Sequence, residues 1–159
     1  MMNTQFSKEA EKKFTEIVSR YPRKDAALLP VLWLAQEEFE YLSQEVRAYV
    51  SARLDVSPAR VDGVISFYTL YKTKPMGQHH IQICRNISCS LRGCDQLMSA
   101  TEKELKIKPG ETTEDRKFSY STVECIAACG GAPALQVNGE YYENVTVKSL
   151  KELFKKLRA

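Results

Sequence analysis

Five cysteines stand at positions 84, 89, 94, 125 and 129 of a 159-residue chain. Four of them fall into two close pairs, Cys84-Arg85-Asn86-Ile87-Ser88-Cys89 and Cys125-Ile126-Ala127-Ala128-Cys129. Clustered thiols in a reducing compartment point to metal or redox chemistry rather than to disulfides. Structural zinc commonly takes C-x2-C knuckles, in which both sulfurs reach one ion about 2.3 Å away. The spacings here are C-x4-C and C-x3-C. Such wider loops suit a two-iron centre, where four thiolates are shared between two metals. The expectation is therefore one [2Fe-2S] cluster, with Cys84 and Cys89 on one iron and Cys125 and Cys129 on the other. Its chemistry would be single-electron transfer. A structural zinc module that scaffolds partners is the rival from a different class.

The neighbouring residues agree with an iron–sulfur site. Four thiolates on an oxidised two-iron core leave a charge of about −2. Arg85 and Arg92 either offset it or are ordinary solvent-facing charge. Gly93, Gly130 and Gly131 remove side chains where backbone N–H groups could approach sulfur, and Pro133 fits a rigid turn after the second pair. Cys94 is the odd thiol; the ligands come in two pairs without it, and buried cysteine behaves as a small hydrophobe. Other chemistries lack parts. A catalytic thiol needs a base, and the only histidines, His79 and His80, open a strand and point to opposite faces. No thioredoxin-type C-x-x-C, G-x-G-x-x-G or phosphate-binding loop is present, so nucleotide binding is not expected of this chain. Trp33, Phe67, Tyr68 and Tyr71 read as core or as a docking face, with Phe67, Tyr68 and Tyr71 the best candidates for the face.

Positioning the cysteines requires two kinds of structure. Residues 1–75 read as four short helices. Ser7 caps a helix with Phe6, Ala10, Phe14, Ile17 and Val18 on one face, stopped by Pro22. Asp25 opens a second, apolar helix with Pro30 near its first turn. Ser43 caps a third, and Ser57-Pro58 starts a fourth that runs through Val61, Val64, Ile65 and Tyr68. The segment 72–77 then punctuates the chain. Residues 76–159 alternate like strands at His80–Cys84 and Phe118–Val123, with a helix over Ser90–Ala100 between them. Asn138-Gly139 marks a hairpin between two further strands, and Thr146 caps a last helix. The whole reads as α+β: a small N-terminal helical bundle, then an α/β layer of the thioredoxin kind with a four-stranded mixed sheet. If the first two strands end side by side, the sulfurs converge at one sheet edge.

Composition sets outer bounds. With 43% hydrophobic and 27% charged residues, the chain has the make-up of a folded globular protein. The formal charge is +3, and the lysines of 103–108 and 148–155 are interspersed with glutamate, which suits solvated helix faces better than nucleic acid. No apolar run approaches the roughly 20 residues of a membrane helix. The first residues lack a signal core and arginine, so a cytosolic location is expected.

With these motifs in place the chain resembles a known family. Tyr21-Pro22, the runs 26–32 and 35–38, Val64-Ile65-Ser66-Phe67-Tyr68-Thr69, Cys84 to Cys89, Leu91-Arg92-Gly93, and Val123-Glu124-Cys125 through Cys129-Gly130 with Ala132-Pro133 carry the likeness. They are similar to the thioredoxin-like [2Fe-2S] subunits of respiratory NADH:quinone oxidoreductase (complex I), the E-type subunit of the bacterial enzyme and its mitochondrial counterpart. The match spans nearly the whole chain, including the helical half that free thioredoxin-like ferredoxins lack. The resemblance implies the same four ligands, Cys84, Cys89, Cys125 and Cys129. It implies a heterodimer with the larger F-type subunit, which carries FMN, NADH and a [4Fe-4S] cluster. It further implies storage of one flavin electron or tuning of the flavin site, at the cytoplasmic face of the bacterial plasma membrane. An equivalent diaphorase subunit of an NAD-linked hydrogenase or formate dehydrogenase has nearly the same motifs. Two departures, Glu40 where many relatives have glycine and the thiol at Cys94, leave the ligand positions untouched.

Overall fold

The computed structural model describes residues 4–158. It divides into two compact units, the first ending at Pro75 and the second beginning at Met76.

Helices α1 (Lys8–Ser19), α2 (Leu28–Phe39), α3 (Gln44–Leu54) and α4 (Pro58–Phe67) build the first unit. Three start where a serine accepts a backbone N–H. Ser7 Oγ takes that of Ala10 at 3.2 Å, Ser43 that of Val46 at 3.3 Å and Ser57 that of Arg60 at 3.3 Å. The second helix differs from expectation. Asp25 lies in a 3₁₀ turn, Lys24–Ala27, and the α-helix begins only at Leu28. That offset makes Pro30 the third helical residue, where its absent N–H would have had no intrahelical acceptor, so no bond is lost. The fourth helix stops at Phe67, and Tyr68 is already extended. The core is Leu28, Val31, Leu32, Leu42, Val50, Leu54, Val61, Ile65 and Tyr71, all under a tenth exposed. Each such aliphatic side chain contributes about 1.5–3 kcal/mol on burial. An aromatic group of Phe6, Phe14, Phe39 and Tyr49 closes one end, with the Arg53 guanidinium 4.1 Å from the Phe14 ring centre and paired to Glu11.

The second unit runs β1 (His79–Cys84), α5 (Ile87–Leu91), α6 (Cys94–Leu105), β2 (Phe118–Val123), β3 (Leu135–Val137), β4 (Glu140–Tyr142) and α7 (Val147–Arg158). The sheet order is β2-β1-β3-β4. Strands β1 and β2 are parallel, whereas β1/β3 and β3/β4 are antiparallel. Ile81, Ile83, Phe118, Tyr120, Leu135 and Val137 form one apolar cluster with Leu97 and Leu105 of α6 and Leu150, Leu153 and Phe154 of α7. Alternate residues His80, Gln82, Ser121 and Gln136 are only half-buried, as period-two strands require. Asn138 (φ 52°) and Gly139 (φ 88°) turn the β3–β4 hairpin with both residues left-handed, the primed geometry that matches strand twist. Thr146 Oγ1 accepts the Ser149 N–H at 3.1 Å and starts α7. The α+β order expected from the sequence is present. Its one expected helix after the first cysteine pair is instead two, broken at Gly93, whose φ of 91° no helix interior accommodates.

Candidate metal centre

The parallel register carries the site. Cys84 at the end of β1 pairs with Val123 at the end of β2, two residues before Cys125. The pairing continues one residue further, where Arg85 N–H donates to Val123 O at 3.0 Å. On the other flank Cys84 N–H donates to Ala134 O at 3.2 Å, just before β3. The Cys84 thiol itself lies 3.7 Å from Glu124 O. The loops bearing the two cysteine pairs therefore leave from neighbouring strand ends.

Helix α5 folds the first pair onto itself. Asn86 caps it, its side-chain oxygen accepting the Ile87 N–H at 2.8 Å. One turn later Cys89 points inward, 2% exposed, while Ile87 and Leu91 on the same helix stay in solvent. The Cys89 thiol is buried in the same apolar cluster as that of Cys84. Burial, followed by the neighbouring Cys84, pushes the Cys89 thiol up to about 11. Cys94 opens α6 at 1% exposure, and burial and then Asp95 raise its thiol as well. It sits in the apolar cluster with Leu97 and Tyr120, as do Cys84 and Cys89.

Cys125 and Cys129 are exposed. Ala127 in the left-handed region (φ 59°) turns its N–H back onto Cys125 Sγ at 3.3 Å. Cys129 starts a 3₁₀ turn, Cys129–Gly131, which Asn144 N–H fastens through Gly131 O at 2.6 Å. A cis Ala132-Pro133 peptide follows. Among the described residues no three His, Cys, Asp or Glu side chains converge on a single ion. The thiols instead form a buried pair and an exposed pair on the adjoining loop. Four thiols in two pairs, with the Ala127 N–H turned onto Cys125 Sγ, fit a centre in which each iron takes two thiolates. They fit a closed zinc cage less well.

From its position in the sequence Arg85 lies either against a cluster or in solvent. It is half exposed and bound to Glu124, Nε to Oε1 at 2.9 Å, so its charge is largely matched locally. Arg92 is exposed. His79 packs on Phe118 with ring centres 5.5 Å apart, and His80 shares a hydrogen bond with Ser121 at 2.8 Å on the other face. Tyr71 belongs to the core, its hydroxyl donating to Leu29 O at 2.8 Å, so of the suggested docking aromatics only Phe67, Tyr68 and Trp33 are at the surface. Two partners escaped the sequence altogether: Glu124 on Arg85, and Glu143, whose carboxylate lies against Gly131. No helix among the described residues is long and apolar enough to cross a membrane.

Comparison with known proteins agrees with this geometry. The profile of the family described as thioredoxin-like [2Fe-2S] ferredoxin matches residues 14–158. The E subunit of NADH-quinone oxidoreductase from Rickettsia bellii is 38% identical over 159 residues, covering 98% of this chain and 95% of that protein. Its Rickettsia conorii equivalent is 39% identical with the same coverage. The second E subunit of the Rhizobium meliloti enzyme is 40% identical over 141 residues, covering 89% of this chain and 84% of its own. Among solved structures, an NAD+-reducing [NiFe]-hydrogenase in its air-oxidised state superposes with a TM-score of 0.72 at 21% identity. That alignment covers 82% of this chain but 22% of the hydrogenase chain, so it speaks to the fold alone. Two cysteine pairs at adjoining strand ends, a near-complete profile match and full-length relatives that are subunits of an oxidoreductase complex lead to one conclusion: the chain belongs to the thioredoxin-like [2Fe-2S] ferredoxin family.

Proposed function

We propose that Cys84, Cys89, Cys125 and Cys129 hold one [2Fe-2S] cluster, and that the chain is the electron-carrier subunit of an NADH:quinone oxidoreductase. When bound, the cluster supplies one-electron exchange with the FMN of a partner NADH-binding F-type subunit, itself carrying a [4Fe-4S] cluster. The chain's own residues hold and shield. The β1/β2 register fixes the distance between the two ligand loops, Ala127 directs an N–H at Cys125, and α5 seals Cys89 from water. Residues 1–75 form the helical domain and residues 76–159 the cluster domain in this reading. No substrate turnover is expected of the chain alone. Its place is with the rest of the complex at the cytoplasmic face of the plasma membrane.

The observation that supports the proposal is the pairing of Cys84 with Val123, which makes neighbours of the strand ends that lead into the two cysteine pairs. The names of the full-length relatives favour the quinone-linked enzyme over a hydrogenase or formate dehydrogenase. Purified protein is expected to be reddish, with iron and acid-labile sulfide at about two each per chain, and to give an EPR signal of the two-iron type after dithionite reduction. Cys89→Ser or Cys125→Ser should abolish or strongly alter the signal, and Cys94→Ser should preserve it. One zinc and no sulfide would overturn the proposal; a hydrogenase large subunit as native partner would overturn its quinone-linked half.

A further inference from the structure

The contact between Glu143 and the Cys129–Gly131 turn has a charge in it. A Cβ built on Gly131 would overlap Glu143 Oε2 and stand 2.5 Å from its Cδ and 2.6 Å from its Cβ. The Glu143 side chain thus occupies the space that any other residue at position 131 would need. Its carboxylate rests on the backbone two residues from Cys129, and in the same 3₁₀ turn. The placement is fixed by main-chain bonds from the two residues that follow it. Asn144, left-handed at φ 50°, donates its N–H to Gly131 O at 2.6 Å, and Val145 N–H donates to Pro133 O at 3.0 Å. The other carboxylate beside the ligand loops, Glu124, is matched by Arg85. Among the described residues no cation pairs with Glu143.

We infer that Glu143 is a charge-tuning residue, whose unmatched carboxylate lowers the reduction potential of the cluster held by Cys129. The inference rests on the ligand assignment proposed above. Net charge, hydrogen bonds to sulfur and exposure set the potential of an iron–sulfur centre. Reduction adds one negative charge to an assembly that is already negative, so a fixed carboxylate nearby opposes it. Because Glu143 is exposed, salt screens the effect; the Debye length falls from about 10 Å at 0.1 M to about 3 Å at 1 M. Gly131 has a matching part, since only glycine leaves room for the carboxylate there.

The test is a redox titration of the full, iron-loaded chain followed by EPR, at low and at high salt. Glu143→Gln keeps the shape and removes the charge. Its midpoint is expected to rise, with the reduced-to-oxidised ratio at the wild-type midpoint increasing about threefold to tenfold; tenfold is about 59 mV for one electron. The shift should shrink at 1 M salt, and Glu143→Asp should stay near wild type. An E143Q midpoint equal to wild type at low salt overturns the inference. So does an E143D shift as large as that of E143Q, or loss of iron from both E143Q and Glu143→Met, since either makes the side chain a brace rather than a charge. If the wild-type chain itself takes up no iron, the ligand assignment is what fails; an iron-loaded wild type with an unmoved E143Q sinks this inference alone.

Discussion

Replacing Gly77 by alanine tests the register on which the site depends. The new Cβ would stand 2.6 Å from the carbonyl carbon of Phe118, 2.8 Å from its nitrogen and 2.9 Å from its Cα. All three are backbone atoms, so no rotamer change relieves the overlap. Ordinary carbon contacts lie at about 3.5–4.0 Å, so Phe118 must retreat by roughly 1 Å. Phe118 is the residue opposite His79, the first pair of the parallel β1/β2 ladder, and Gly77 N–H is anchored there by Ser119 Oγ at 2.7 Å. Forcing atoms into a packed site costs about 1–3 kcal/mol. For a domain of this size each kcal/mol lowers Tm by about 4–8 °C, so a cost near 2 kcal/mol gives a fall of roughly 8–16 °C. Thermal unfolding followed by circular dichroism measures it. Iron content after reconstitution gives a second reading, because a displaced β2 start loosens the pairing that ends at Cys84 and Val123. A Tm within about 2 °C of wild type, with full iron, would refute the reasoning.

The other expectations concern sites away from the cysteines. Gly63 sits inside α4 with open space where its Cβ would go, so Gly63→Ala should stabilise the first unit by about 0.5–1 kcal/mol in urea unfolding. Among the described residues the buried Tyr120 hydroxyl has no hydrogen-bond partner; Tyr120→Phe should be neutral or stabilising by up to about 1 kcal/mol, and a clear loss would show that the hydroxyl is satisfied. Burial pushes the Tyr71 phenol up to about 12. A folded value raised above the unfolded one, near 10, means that the stability is complete below pH 10 and is lost as pH rises through 12. The loss is on the order of 2–3 kcal/mol. Urea midpoints between pH 9 and 12 should therefore fall less in Tyr71→Phe than in wild type, and parallel falls would contradict the assignment.

Local signals were legible and distant ones were not. Ser7, Ser43, Ser57 and Thr146 announced four helix starts because each cap acts within three residues of itself. Asn138-Gly139 announced the hairpin for the same reason. The spacing of the cysteines suggested two pairs, and strand alternation put both near strand ends. That the two ends are neighbours is a property of the sheet order, which no window of sequence contains. The split at Gly93 was hidden because the apolar pattern continues across it, while a single positive φ ends the helix. Asp25 misled for the opposite reason: a good capping residue was used in a 3₁₀ turn, and the α-helix began where Leu28 could be buried. Glu143 was invisible because its meaning depends on Gly131, reached only after the β3–β4 hairpin has folded back.

The division of the five thiols into three buried and two exposed has a practical side. A thiol-modifying reagent applied to the folded, metal-free chain would meet Cys125 and Cys129 at once, and Cys84, Cys89 and Cys94 only when the fold opens. Labelling should proceed in a fast step of two and a slow step of three, the slow one set by the unfolding equilibrium of the second unit. In air the same asymmetry makes the β2–β3 loop the place where chains cross-link to one another. Preparations of the apoprotein should therefore age through surface dimers rather than through damage to the core.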